Sequence, residues 1–373
     1  MAQRTSLSPQ ELRRYSRHLL MPEVGLAGQE RLSEARVLVV GAGGLGSPAL
    51  QYLAAAGVGR LGVMDDDVVD ETNLQRQTLF ATADVGRSKA DVATERLHAL
   101  NPRIAVDPIA ARFGADNARD LVRCYDVVLD CSDRFPTRYA INDACYLERR
   151  PDVYGSIFRF DGQVSVFGIA AGPCYRCLYP EPPPPGSTPT CAEGGVLGAI
   201  AGIVGAWQAS EALKLILGIG DPLIGRLMLL DSFSARVREV RFQKDPGCAL
   251  CGSTPSISTV AASADDAPED PQVEEINAGE LDDALKEARL LDVREPHEAV
   301  LGSLDGAISI PASQLEARMF ELDSALRYVV ACRVGVKSLW AVRRLRDAGF
   351  GRLQHLRGGL LAYAARRQEF EFF

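Results

Sequence analysis

The sequence lacks a surplus of positive charge. Its 41 Lys and Arg are outnumbered by 49 Asp and Glu, for a formal net charge of −8. That balance offers no broad phosphate-neutralising face, so nucleic acid is excluded as an expected partner. A charged-then-apolar leader is also missing: MAQRTSLSPQELRRYSRHLL is polar and reads as helical from about Pro9. With no export signal in view, nine cysteines, an odd number, do not describe a disulfide framework. Reduced thiols or metal ligands in a cytoplasmic protein are expected instead. Nor is there an uninterrupted membrane-length apolar run. Gly195–Gly218 comes nearest, yet Gln208, Ser210, Glu211 and Lys214 lie inside it and glycines recur along it. A buried helix or subunit interface is the expectation, and no membrane partner.

The remaining composition, 47% hydrophobic and 24% charged over 373 residues, is globular and long enough for two domains. Between Cys251 and Gln272 the chain turns to Ser, Ala, Asp and Pro with no aromatic residue, a composition that cannot offset chain entropy by burial. This places domain one at 1–252, a flexible linker at 253–272 and domain two at 273–373. In domain one, RVLVV, RLGVMD, RIAVDPI and DVVLDCSD alternate with helix-like SPALQYLAAAG and KADVATERLHAL. That alternation predicts an α/β domain with a parallel sheet and helices on its faces. Domain two repeats the pattern on a smaller scale, with RLLDV, AISIP, RYVVA and RLQHL as strands and SLWAVRRLRDAG as a helix ended by Gly349. No internal repeat is evident.

The run RVLVVGAGGLG is a strand entering a glycine-rich loop, with Gly41, Gly43 and Gly46 in GxGxxG spacing and Asp65 at the end of the next strand. Glycines there let the backbone approach phosphate, the following helix supplies N–H donors, and Asp65 suits ribose hydroxyls. Taken alone, these residues favour an NAD-dependent oxidoreductase. The cluster Asn73, Leu74, Gln75, Arg76, Gln77 and the cation Lys89 shift that reading. A dinucleotide needs no two cations beside its ribose, whereas attack at a triphosphate phosphorus spreads charge that Arg76 and Lys89 would stabilise. Asp133, in DCSD at the carboxyl edge of the sheet, suits Mg²⁺.

Two pairs, Cys174/Cys177 and Cys248/Cys251, each have CxxC spacing. Four thiolates from two such turns make a closed tetrahedral site for a structural Zn²⁺, tying the end of domain one to its middle. Cys124, Cys131 and Cys145 read as core residues. Cys332 stands apart, where the strand RYVVA meets the loop CRVGVKS and the start of a helix. Loop N–H groups and a helix N-terminus favour a thiolate there, which points to sulfur chemistry.

The combination GAGGLG, Asp65, TNLQRQ, Lys89, DCSD and paired CxxC closely resembles the MoeB/ThiF family of adenylating enzymes, relatives of ubiquitin-activating enzymes, over nearly all of 1–252. The second domain, with LLDVRE, AISIP and CRVGVKS, resembles a rhodanese, and the pairing resembles MoeB–rhodanese fusions. The fold implied is a Rossmann-like ATP-binding domain with structural zinc plus a small α/β rhodanese domain. The resemblance implies a nucleotide-contacting set of Gly41, Gly43, Gly44, Gly46, Asp65, Asp67, Thr72, Asn73, Leu74, Gln75, Arg76, Gln77, Lys89, Asp133 and Arg134. It implies that Arg17, in RYSR, reaches into the ATP site of a neighbouring subunit, hence a homodimer. Cys191, in TPTCAEGGV, matches a cysteine of a crossover loop that in some relatives bonds covalently to the carrier protein. Three departures stand out. Arg134 replaces a usual Asn, Lys337 replaces a common Arg, and GSLDGA lacks a histidine many rhodaneses carry.

Together these imply ATP-dependent adenylation of a ubiquitin-like sulfur carrier ending in Gly-Gly, with Arg17, Arg76, Lys89 and Asp133-bound Mg²⁺ stabilising charge. A Cys332 persulfide, loaded by a donor such as a cysteine desulfurase, would then give the carrier thiocarboxylate, with Cys191 as a second thiol. A linker of about 20 residues reaches about 25 Å, enough to carry the loop to the adenylate. The pathways such carriers serve are molybdopterin, thiamine, cysteine and tRNA thiolation. Two other classes are an oxidoreductase with a fused sulfur domain and a carrier-binding scaffold without catalysis, toward which only Arg134 hints.

Overall fold

The computed structural model describes residues 6–169, 172–183, 194–261, 273–300 and 302–367. The chain forms two compact units. In the first, β1 (Arg36–Val40), β2 (Arg60–Met64), β3 (Ala105–Ile109), β4 (Val127–Asp130) and β5 (Asp152–Phe158) run parallel in the order β3-β2-β1-β4-β5. Val37, Leu38, Val39, Val128 and Leu129 are fully buried, as a parallel strand covered on both faces requires. The sheet then continues antiparallel through β6 (Asp161–Phe167), β7 (Arg226–Asp231) and β8 (Arg236–Arg241). The expected parallel sheet is therefore the first five strands of a mixed eight-stranded one.

Helix Gly46–Ala56 follows β1 and ends at Gly57 in the left-handed region. Helix Lys89–Leu100 starts at Ser88, whose hydroxyl accepts from the Asp91 N–H. Helix Gly198–Leu217 is long and apolar enough to cross a membrane by length and composition, but it packs into the unit. Its Gln208 is fully buried and donates to Asp130 O at 2.7 Å and Val153 O at 2.9 Å. Its buried Glu211 accepts from the Leu223 N–H. Buried polar groups with matched partners belong to a protein interior. Its opposite face leaves Ile203 half exposed.

The chain does not loosen at Cys251. Ile257 packs on the cysteine cluster, and Val260 is buried in the core beside Leu38 and Ile141. The stretch expected as linker from residue 253 thus stays with the first unit to at least Val260, and 262–272 lies outside the described residues. The second unit holds β9 (Glu274–Ile276), β10 (Arg289–Asp292), β11 (Ile308–Ser309), β12 (Tyr328–Ala331) and β13 (Leu353–Leu356), all parallel, in the order β11-β10-β12-β13-β9. Leu291, Val329, Val330 and Leu356 are fully buried. Helix Val336–Asp347 packs on this sheet through Ala341, Val342 and Leu345.

Candidate functional site

The glycine loop between β1 and helix Gly46–Ala56 has no room for side chains at two places. A Cβ on Gly41, at φ +97°, would lie 2.7 Å from Cys131 O, and one on Gly46 would lie 1.9 Å from Gly41 O. A Cβ on Gly43 would meet nothing nearer than Gln77 Nε2 at 3.6 Å, so its glycine is not demanded by packing and leaves the backbone open to a ligand. The aliphatic stem of Arg76 lies against Gly44.

Asp65, at the end of β2, accepts from the Ala42 N–H at 2.8 Å and the Asp67 N–H at 3.0 Å, so it ties the loop to the next strand. Burial pushes its carboxyl above the usual range, against the pull of Lys89. Lys89 is 5% exposed; its Nζ donates to Asp67 Oδ2 at 2.8 Å and lies 4.0 Å from Asp65 Oδ1. Asp67 is itself well exposed, so an incoming phosphate can take its place on the ammonium. A short turn, Glu71–Asn73, is capped by Asp70, which accepts from the Thr72 N–H and hydroxyl. Arg76 Nη1 donates to Thr72 O at 3.0 Å, and the Arg76 and Gln77 N–H groups both donate to Asn73 O. The Leu74 N–H donates to Glu71 O, and Gln75 O closes against Gly198. Gln77 is buried, and its Oε1 has no hydrogen-bond partner among the described residues.

Beyond β4, the buried Asp130 accepts from the Ser132 N–H and hydroxyl, and burial raises its carboxyl. This turn presents Asp133 exposed, while Arg134 occupies the position before helix Phe135–Leu147. Arg138, buried on that helix, donates to Ser132 O at 3.1 Å and lies over the Phe135 and Tyr154 rings. Arg17 is exposed on the short helix Ser16–Leu19 and has no side-chain hydrogen bond or ion pair among the described residues. Cys191 lies outside the described residues.

The four CxxC sulfurs lie within 4.8 Å of one another. Sγ separations are 4.0 Å for Cys174–Cys177, 3.6 Å for Cys174–Cys248 and 3.2 Å for Cys177–Cys251, with no disulfide among them. A tetrahedral Zn²⁺ with bonds of about 2.3 Å sets sulfurs about 3.8 Å apart, so the cage fits that ion. The Asp245 N–H donates to Cys177 Sγ at 3.3 Å. Of the remaining thiols, Cys131 and Cys145 are buried, which pushes both well up and makes them inert. Cys124 departs from the core expectation: it is exposed on the helix end.

In the second unit, Cys332 directly follows β12 at 1% exposure. Its sulfur receives the Gly335 N–H at 3.2 Å and lies 3.5 Å from Ser338 Oγ. Gly335, at φ +98°, turns the loop into helix Val336–Asp347. Gly359 permits the close return of the chain: a Cβ there would lie 2.5 Å from Cys332 O. Lys337, which stands where Arg is common, keeps a positive charge on the loop. That charge is paired with buried Glu298, Nζ to Oε2 at 2.7 Å. Asp292 and Arg294 form a second buried pair at 2.7 Å.

Residues 15–250 match the ThiF family and 277–366 the Rhodanese-like domain. The chain belongs to the ThiF family. It is 46% identical to the Mycobacterium tuberculosis protein named probable adenylyltransferase/sulfurtransferase MoeZ, over 98% of this chain and 95% of that one. It is 41% identical to mouse adenylyltransferase and sulfurtransferase MOCS3, over 98% of this chain and 88% of that one. A Thermus thermophilus sulfur carrier protein adenylyltransferase is 52% identical over 66% of this chain and 93% of its own. Escherichia coli MccB with MccA-N7isoASN shares the fold, at TM-score 0.57 and 23% identity over 64% of this chain and 75% of that one.

Within this ThiF-family unit, the glycine loop, Asp65 and Asp133 follow the carboxyl ends of β1, β2 and β4, with Arg76 against Gly44 and Lys89 beside Asp65. Asp130 and Arg138, which hold the turn bearing Asp133, were missed, though Asp130 opens the DCSD motif. In the rhodanese-like unit Ser338, His355 and Glu298 were missed as neighbours of the cysteine loop. Only Ser338 had a signal, being the last residue of CRVGVKS.

Proposed function

We propose that the chain is an adenylyltransferase and sulfurtransferase acting on a ubiquitin-like sulfur-carrier protein with a Gly-Gly C-terminus. The observation that carries this is the presence of both a ThiF-family loop with its basic pair and a rhodanese-like cysteine loop in one chain. The carrier carboxylate attacks the α-phosphate of ATP, forming an acyl-adenylate and expelling pyrophosphate. No side-chain base is required, since the attacking carboxylate is already ionised. Arg76 and Lys89 stabilise the spreading phosphoryl charge and the glycine loop positions the phosphates. Asp133, exposed at the sheet edge, is the residue that would hold Mg²⁺, which supplies further charge neutralisation when bound. Arg17 serves the ATP site of a second copy, a role supported by its exposure and by its having no side-chain hydrogen bond or ion pair among the described residues.

Sulfur transfer follows. The terminal sulfur of a Cys332 persulfide attacks the acyl carbonyl, AMP leaves, and the carrier is joined to Cys332 through an acyl disulfide. A second thiol then attacks Cys332 Sγ, releasing the thiocarboxylate and leaving a disulfide that must be reduced; Cys191 is the internal candidate. A cysteine desulfurase is a suitable class of donor. The described cysteines are all free, which supports a reducing, cytoplasmic setting.

The test is exchange of labelled pyrophosphate into ATP. Exchange should require a Gly-Gly carrier and fall by about two to three decades in Arg76→Ala. Carrier-independent exchange, or full exchange in that variant, would overturn the assignment.

A further inference from the structure

Ser338 Oγ stands among three acceptors. It lies 3.5 Å from Cys332 Sγ, 2.9 Å from Gly335 O and 3.2 Å from His355 Nδ1. A hydroxyl carries one hydrogen and two lone pairs, so it serves only one acceptor at a time. Which one it serves depends on the imidazole. His355 sits on β13, in register with Val330 on one side and Glu275 on the other. Its ring lies beside the cysteine loop: a Cβ at position 335 would be 3.5 Å from His355 Cε1, an ordinary contact distance. The ring is buried, with Arg343 and Arg357 nearby, which brings its pKa down to about 4. Its Nε2 is 4.0 Å from Glu275 Oε1, a side chain a quarter exposed and so a route to solvent. At neutral pH the ring has one N–H and one lone pair.

Two arrangements follow. With the proton on Nε2, toward Glu275, the Nδ1 lone pair takes the Ser338 hydrogen and the Ser338 lone pairs face the sulfur. That suits a thiol, which donates. With the proton on Nδ1, the ring donates to Ser338 Oγ and the hydroxyl hydrogen is released. That suits a thiolate or persulfide anion, which only accepts and which outcompetes Gly335 O because bonds to ions are about twice as strong.

We propose that His355 is a positioning residue which, acting through Ser338, sets whether the Cys332 sulfur receives a hydroxyl hydrogen bond and so stabilises its anionic forms. This rests on Cys332 being the sulfur-carrying nucleophile. The cations of the loop itself, Arg333 and the Glu298-paired Lys337, are unaltered by the exchange of tautomers.

The experiment is the pH dependence of Cys332 alkylation by iodoacetamide in the full chain, read from the mass of the Cys332 peptide. His355→Phe and Ser338→Ala should each raise the apparent pKa of Cys332 by about one unit, a tenfold loss of thiolate at a given pH below it. His355→Asn, whose amide can donate from near the Nδ1 position, should keep most of the parent value. The double variant His355→Phe/Ser338→Ala should titrate like Ser338→Ala alone. A His355→Phe protein that titrates like the parent, a His355→Asn protein as impaired as His355→Phe, or a double shift equal to the sum of the single ones would overturn the proposal. Persulfide loading of the parent by thiosulfate is read separately: its absence counts against the sulfurtransferase reading, while the titration still judges His355.

Discussion

Lys89 is a buried cation with two carboxylates for company, Asp67 at 2.8 Å and Asp65 at 4.0 Å, so the stability of the loop and the proposed phosphate contact rest on one side chain. Removing it leaves Asp65 buried with no opposing charge, in a place where burial already raises its carboxyl. A raised folded pKa means that the native state holds the proton more tightly than the unfolded chain does. Stability is then greater at low pH and falls as pH rises from the unfolded value through the folded one. Lys89→Ala should accordingly cost about 2 kcal/mol at pH 7.5, and the deficit should shrink as pH is lowered toward 5. Melting curves of parent and variant across that range check it; a deficit independent of pH would show that Asp65 does not respond to the loss. Carrier-dependent exchange should fall by about two to three decades in the same protein.

At the scale of elements, the thiol cage joins the turn after β6 to the turn after β8, two pieces of chain that no strand pairing connects. A four-thiolate site couples metal binding to folding, so Cys248→Ser should lose zinc and lower the melting midpoint of the first unit by several degrees together. Metal analysis beside calorimetry checks this, and full zinc content in the variant would show that the pairs do not form one site. This cage was legible in the sequence because CxxC fixes both local geometry and chemistry. The parallel half of the large sheet was legible for a similar reason, since β1 and β4 are buried on both faces and read as continuous apolar runs. The antiparallel half was not. β8 is exposed along its whole length, RVREVR, and gives no apolar face to recognise, while the glycines of β5 and β6 interrupt their patterns. Gly155 is required because Gln208 lies against it, and Gly162 because Val204 does, contacts made by a helix far along the chain. The linker boundary was misplaced for the same physical reason. Two isolated apolar residues, Ile257 and Val260, dock a segment whose composition otherwise belongs to loose chain. His355 and Glu298 reach the cysteine loop by tertiary packing alone and leave no local spacing to find.

At the scale of the molecule, adenylation and sulfur transfer are assigned to separately folded units, each with its own sheet and core. The proposed nucleophile, Cys332, should therefore be dispensable for the first half-reaction. Cys332→Ala should leave carrier-dependent pyrophosphate exchange at the parent rate while abolishing thiocarboxylate, because every residue proposed to act on ATP belongs to the ThiF-family unit. Covalent connection should matter only as concentration. Cutting the chain within 262–272 should lower thiocarboxylate formation without touching exchange, and added rhodanese-like unit at high concentration should restore part of it. Mass spectrometry of the carrier reads the outcome as replacement of one oxygen by sulfur, a gain of about 16 Da. That gain appearing undiminished with the Cys332→Ala enzyme, in the absence of free sulfide, would mean that another thiol delivers the sulfur. The rhodanese-like unit would then be a passenger on an adenylating enzyme.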